Sequence, residues 1–273
     1  MSRPESGPKR PNFLISKWYM DCVADDGSAF IGYAATLRWK ALSLDYSSTL
    51  RQAGDRPAEV RTSVSRPSTP PNEEGDAIRW RSDSLSTAGT WRPIAMPIEQ
   101  TILESDAGSI RWRCVAPLAD ATVSRDKGDT LSGLGYCEHI SISITPWQMP
   151  IDELRWGRFL TRNSYVVWID HKGPEPVTLV FVNGRRVERA TIEDDMVQLE
   201  DGHRTLSLFE SRTLREGPLV STAFSSVPLL SKLLSSNGLM IDETKWCSRG
   251  MLTGANLSEE QGWAIHEVVR WIR

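Results

Sequence analysis

Apolar and polar residues alternate at period two along most of this chain, the spacing that buries one face of a β-strand. Short runs rich in aromatic and β-branched residues span Trp18 to Val23, Ala29 to Tyr33, Ile110 to Val115 and Ser164 to Asp170. Arg204 to Glu210 and Trp263 to Trp271 alternate cleanly. Val177 to Val182 meets Arg185 to Ile192 across Asn183-Gly184, a two-residue link of the type that closes hairpins. Only Val227 to Ser235 has a helical pattern. Many short strands separated by turn signals predict an all-β chain built of sandwiches or barrels.

Prolines punctuate this pattern. Gln52 to Asp76 holds Arg56-Pro57, Arg66-Pro67 and Thr69-Pro70-Pro71, and reads as a long loop, either a plain surface loop or a lid. Pro146 and Pro150 end a strand run and predict a domain boundary near residue 150. The expected organisation is a disordered leader over 1–14, one domain over 15–150 and a second over 151–273. The leader is charged and proline-rich with no apolar signal core, which predicts a cytoplasmic protein.

Composition narrows the function classes. The chain has 273 residues, with 32 Lys and Arg against 35 Asp and Glu, a net charge of −3. That balance lacks the basic excess of a nucleic-acid binder. No run of about 18 apolar residues is present to span a membrane. Four cysteines and four histidines are scattered without metal-ligand spacing, so no metal site and four free, buried thiols are expected. There are 11 Trp against 6 Phe and 5 Tyr. Core packing explains most of them, and a cavity lined by aromatic rings is the functional reading for a few.

The chemistry concentrates in Gly133 to Glu138. It lacks the third glycine of a dinucleotide loop, because Glu138 stands there and a strand follows instead of a helix. Gly133 and Gly135 predict a bulge or close backbone approach just before that strand. In the strand, Tyr136 and Glu138 share a face with Ile140, Ile142 and Ile144, while His139 points the other way. A carboxyl on an apolar face can hold its proton and act as a general acid. The competing reading is an edge residue that reaches solvent or an arginine. Glu267 shares a face with Trp263, Ile265, Val269 and Trp271 and is a second such carboxyl, with Asp21 a third. Trp18, Tyr19, Trp156, Trp263 and Glu267 are the candidate substrate-binding residues. A nucleophile elbow, a P-loop and a His-Glu-x-x-His motif are absent.

The segments Trp18 to Gly27, Ile110 to Ala119, Gly133 to Glu138 and Leu154 to Phe159 resemble, in order and spacing, the carotenoid 1,2-hydratase (hydroxyneurosporene synthase) family. That lipocalin-like group is similar in turn to fungal decalin-forming pericyclases. The resemblance implies two β-barrel or sandwich domains with a hydrophobic pocket at or near their junction, and a reaction without cofactor. It implies Glu138 as acid, Tyr136 as the residue that orients it or relays the proton, and Trp112 as a pocket wall that stabilises positive charge. The chain departs from the family at Ile110, where the hydratases have His. It also has Glu138 in place of Asp, and His139 to Ile142 where an Asn-Trp-Gly segment is expected. The expected function is acid-promoted hydration, cyclisation or isomerisation of a hydrophobic terpenoid, polyene or polyketide intermediate. A shape-driven pericyclase and a non-catalytic lipid or pigment carrier are the alternatives.

Overall fold

The computed structural model describes residues 12–64, 69–125, 128–200, 203–219, 240–254 and 257–272, and of residues 257 and 258 the backbone only. The helical pattern expected over Val227 to Ser235 lies outside the described residues. The first sheet contains β1 (Phe13–Val23), β2 (Ala29–Trp39), β3 (Leu42–Gln52), β4 (Glu59–Val64), β5 (Asn72–Glu74), β6 (Ala77–Ser82), β7 (Thr87–Pro93), β8 (Ile98–Ser105), β9 (Gly108–Arg125) and β10 (Asp129–Ile142). The second contains β11 (Glu153–Leu160), β12 (Tyr165–Lys172), β13 (Val177–Val182), β14 (Arg185–Val187), β15 (Ala190–Ile192), β16 (Met196–Leu199), β17 (Arg204–Pro218), β18 (Met240–Gly254) and β19 (Leu257–Ile272).

The strand order is β4-β3-β2-β1-β10-β9-β7-β6-β5 in the first sheet, with β8 on β9, and β14-β13-β12-β11-β19-β18-β17-β16-β15 in the second. All pairings among these described strands are antiparallel, as short connections allow. In the second sheet the two ends of the path, β14 and β15, are separated by only Glu188 and Arg189. The sheet must therefore curl until its edges meet, a nearly closed barrel. The fold is all-β with two lipocalin-like halves, and the change of sheet falls between Ile142 and Glu153.

Strand alternation gives each sheet a core of its own and leaves the opposite faces to pack together. Met20, Cys22, Phe30, Trp91 and Cys137 fill the core of the first sheet. Phe159, Val166, Trp168, Val180 and Leu206 fill that of the second. The opposite faces, carrying Tyr19, Tyr136, Trp156, Val167 and Ile265, pack together in a core shared by both sheets. Strands buried on both faces read as nearly continuous apolar runs, which is why Tyr165–Lys172 is buried at every position but its last.

Four sequence expectations are corrected. Phe13 and Leu14, expected in the leader, begin β1. The segment from Gln52 to Asp76 is not all loop: β4 pairs with β3, and β5 with β6. Both are edge strands of the first sheet, where prolines and charges are tolerated because one side of the backbone faces solvent. The Arg185 to Ile192 run splits, since β14 pairs with β13 and β15 with β16. Gly133 and Gly135 lie inside β10 and not before it.

Candidate active site

The cavity lies between the sheets. Its volume is about 260 Å³, and its walls come from β1, β2, β3 and β10 on one side and β11, β17, β18 and β19 on the other. Most of the lining is aliphatic or aromatic, including Ile15, Leu37, Ile142, Leu154, Val269 and Trp271. One part is polar, and Glu138 stands there.

Glu138 is 6% exposed and accepts three hydrogen bonds on one oxygen. The Trp112 indole Nε1 donates to Oε2 at 2.5 Å, the Tyr136 hydroxyl at 2.6 Å and the Trp156 indole Nε1 at 3.2 Å. Local structure explains the convergence. Tyr136 and Glu138 alternate on β10, and the register of β10 against β9 shifts on both sides of Cys137. Such a bulge re-aims the side chains around it. A Cβ at Gly135 would sit 2.5 Å from both the Asp21 carbonyl oxygen and Ala121 Cβ, so only glycine lets the strands approach there. Trp156 arrives from the second sheet, and its ring meets Tyr19 edge-on at 4.9 Å and Tyr136 at 5.7 Å. Burial pushes the Tyr136 phenol well up, and the Cys114 and Glu138 side chains add to the rise, so it stays a donor at neutral pH.

A network of four charges adjoins this centre. Arg215 holds Glu243 in a two-pronged pair, both contacts at 2.7 Å. Lys245 bonds to its cross-strand partner Glu267 and lies 3.5 Å from Glu243. Burial alone would raise the Glu243 carboxyl, but Arg215 and Lys245 outweigh it and bring it down to about 2. Burial likewise opposes the charge on Lys245, and Glu267 more than offsets it, so Lys245 stays a cation. Burial pushes the Glu267 carboxyl up, Lys245 pulls it down, and Glu243 adds to the rise.

The Lys245 ammonium lies over the Trp156 ring at 5.3 Å and over the Tyr19 ring at 5.4 Å. Those two aromatic faces, worth about 0.5–2 kcal/mol each to a cation, are therefore already occupied. Trp112 does not line the main cavity. Its ring packs 6.0 Å from Phe181 and its N–H is spent on Glu138. It is a support for the carboxylate, and the expected pocket wall of Trp112 is corrected.

Tyr19, Trp156 and Glu267 line the cavity, as Glu138 does. Trp18 and Trp263 do not. Trp18 alternates with Tyr19 on β1, so it faces the other way, against His139 at 4.9 Å and the core of the first sheet. Trp263 lies beyond the cavity, with the Arg212 and Arg249 guanidiniums over its ring at 5.3 and 5.1 Å. Lys17, Arg215, Glu243 and Lys245 are lining residues absent from the sequence reading. A signal for Lys245 was present in the alternation of Ile241, Glu243 and Lys245 on one face, whereas its pairing opposite Glu267 depends on strand register. Asp21, the third carboxyl, is wholly buried against Arg158 and sits outside the lining.

Among the described residues, no group of three or more His, Cys, Asp or Glu side chains is arranged to hold a metal ion. The four cysteines are buried and free. No described helix is long and apolar enough to cross a membrane.

No protein-family model and no curated protein matches the sequence. Solved structures do match the fold. CghA bound to Sch210972 superposes with a TM-score of 0.59 at 11% identity, over 95% of this chain and 89% of that one. An AttH-type protein from Nitrosomonas europaea gives 0.57 at 10% identity, over 100% and 99%. Kievitone hydratase from Nectria haematococca gives 0.55 at 12%, over 93% and 88%. This chain therefore has the two-part lipocalin-like fold that these three proteins share.

Proposed function

We propose that the chain is an enzyme that transforms a hydrophobic small molecule in the cavity between its sheets by proton transfer at Glu138, without cofactor. The observation that carries this is the convergence of three donors on Glu138 Oε2 at a cavity wall. With Oε2 occupied as an acceptor, Oε1 is the oxygen that can hold a proton. Transfer of that proton to a carbon–carbon double bond leaves a carboxylate that Trp112, Tyr136 and Trp156 stabilise at once. Water or a second double bond of the substrate adds at the neighbouring carbon, and the proton released from that water or from a C–H returns to Glu138. Hydration, cyclisation and isomerisation all balance in this way. Similarity of fold to a protein named as a hydratase agrees with this class of reaction.

One observation favours a second reading. Lys245 already occupies the Tyr19 and Trp156 faces, so a free carbocation finds little stabilisation there. A cyclase that works by holding its substrate in a reactive shape needs no such cation.

The test begins by extracting purified protein with organic solvent and identifying any bound compound by mass spectrometry. That compound and its close analogues are then incubated with wild type and with Glu138→Gln. Loss of turnover in Glu138→Gln, with binding retained, supports proton transfer. Full turnover in that variant, with loss in Trp156→Ala, supports the shape-driven cyclase. A single tightly held compound that wild type leaves unchanged identifies a carrier and overturns both.

A further inference from the structure

Five charged side chains share the polar part of the cavity: Lys17, Arg215, Glu243, Lys245 and Glu267. Three are cations and two are carboxylates. Their hydrogen bonding is uneven. Arg215 grips Glu243 through Nε and Nη2, and Nη2 also lies 3.4 Å from the Tyr33 hydroxyl, while Nη1 has no partner among the described residues. Lys245 spends one donor on Glu267 and lies at long range from Glu243. The Lys17 ammonium has no hydrogen bond or ion pair among the described residues, although it is close enough to Glu267 to act on it electrostatically. The cavity thus presents unspent N–H donors on Lys17 and on Arg215 Nη1.

Lys17 is half-buried on the cavity wall with its ammonium unpaired among the described residues, so an anionic oxygen of a bound ligand would supply its counter-charge. We infer that this part of the cavity is a subsite for an anionic oxygen, and that the substrate is an amphiphile carrying a carboxylate close to its reacting carbon, not a hydrocarbon.

The closeness follows from register. Lys17 and Tyr19 are successive residues on one face of β1, about 7 Å apart by strand rise. Tyr19 is the direct cross-strand partner of Glu138. A carboxylate on Lys17 therefore sits within a few bonds of an atom that Glu138 can reach. The apolar tail extends the other way, toward Leu37, Leu44 and Val269. The inference rests on the proposed function in one respect: the reacting carbon is taken to be the one that Glu138 protonates.

The experiment uses three probes of equal chain length: decanoate, methyl decanoate and decan-1-ol. Binding to wild type, Lys17→Met and Glu138→Gln is followed near neutral pH by calorimetry and by the fluorescence of Trp156 and Trp271. Wild type should hold decanoate at least about tenfold more tightly than either neutral probe. Lys17→Met should remove most of that preference while binding decan-1-ol as wild type does, which also shows that the variant is folded. Glu138→Gln should keep the preference. Equal binding of all three probes by wild type overturns the subsite, as does an undiminished preference in Lys17→Met. The two readings fail separately. Full turnover in Glu138→Gln with the preference intact sinks proton transfer and leaves the subsite standing. Failure of every probe to bind rejects the cavity as a site for hydrophobic ligands, and both readings with it.

Discussion

Asp21 of the first sheet and Arg158 of the second form a two-pronged ion pair in which neither side chain has any exposure to solvent. Arg158 Nε and Nη2 donate to the two carboxylate oxygens at 3.0 and 2.8 Å, and the Tyr19 hydroxyl adds a third donor at 2.9 Å. Arg158 Nη1 also holds the Trp263 carbonyl at 2.8 Å. Burial opposes the charge on the guanidinium, but the Asp21 carboxylate outweighs it and raises its pKa. The pair sits in the shared core, where it fixes how the two halves meet.

That placement predicts an asymmetry between single and double replacements. Arg158→Met leaves the Asp21 carboxylate buried without its counter-charge and should cost about 3–5 kcal/mol in urea unfolding. Asp21→Leu combined with Arg158→Met removes both charges and should be more stable than Arg158→Met alone. A cost below about 1 kcal/mol for Arg158→Met would place the pair with exposed ion pairs and contradict its burial.

Trp112 and Tyr136 act on the reaction through Glu138. Trp112→Phe keeps a ring against Phe181 and deletes only the N–H that reaches the carboxylate. A hydrogen bond to a charged group contributes about 1.5–3 kcal/mol, so kcat should fall about 10- to 100-fold. KM should change by no more than about twofold, because the indole is not in the cavity lining. Tyr136→Phe should behave in the same way. Steady-state kinetics separates the two effects. A raised KM with an intact kcat would show that these residues hold substrate and do not position the acid.

How much of this could be read from the chain depended on distance along it. Tyr136 and Glu138 share a face because strand side chains alternate, and that relation is local. The Asn183-Gly184 turn was equally legible, and both residues take positive φ, 49° and 80°. Trp156 reaching Glu138, and Arg158 reaching Asp21, depend on how two sheets pack, which no spacing encodes. The edge strands β4 and β5 were read as loop because their pairing uses backbone groups while their side chains are polar. Trp18 was grouped with Tyr19 among the candidate substrate-binding residues, although alternation already put the two on opposite faces.

Gly135→Ala tests the bulge that aims Glu138. The added Cβ would lie 2.5 Å from the Asp21 carbonyl oxygen, 2.5 Å from Ala121 Cβ and 2.8 Å from Trp91 Cδ1. Two of these neighbours belong to adjoining strands and the third is a wholly buried indole that donates to the same Asp21 carbonyl at 2.6 Å. None can yield cheaply, so the strands must separate. Overpacking of this kind costs about 1–3 kcal/mol, and turnover should fall with it because Tyr136 follows directly. Thermal unfolding and activity are measured together. Wild-type stability in Gly135→Ala would mean that the register at this point is adaptable.

His266 gives the fold a defined response to acid. It lies 5% exposed, stacked on Trp246 and within 2.7 Å of the Ser248 hydroxyl. Burial holds it down at about 4, against 6.5 for a free imidazole; Asp194 opposes this, and Lys245 and Arg158 reinforce it. The folded state therefore resists protonation while the unfolded chain accepts a proton. Stability from this group is complete above about pH 6.5, falls as pH drops toward about 4, and changes no further below that, a loss of about 3 kcal/mol. Glu243 acts in the next window. Its folded pKa of about 2 lies below its ordinary 4.5, so its contribution is present above pH 4.5 and is lost between there and about 2. Burial also lowers His139 and His171, so His266→Gln should flatten the upper part of the profile without levelling it. The check is urea unfolding of wild type and His266→Gln at a series of pH values from neutral to about 4.5. An unchanged slope between pH 6.5 and 4.5 in the variant would assign the acid sensitivity to the other two histidines.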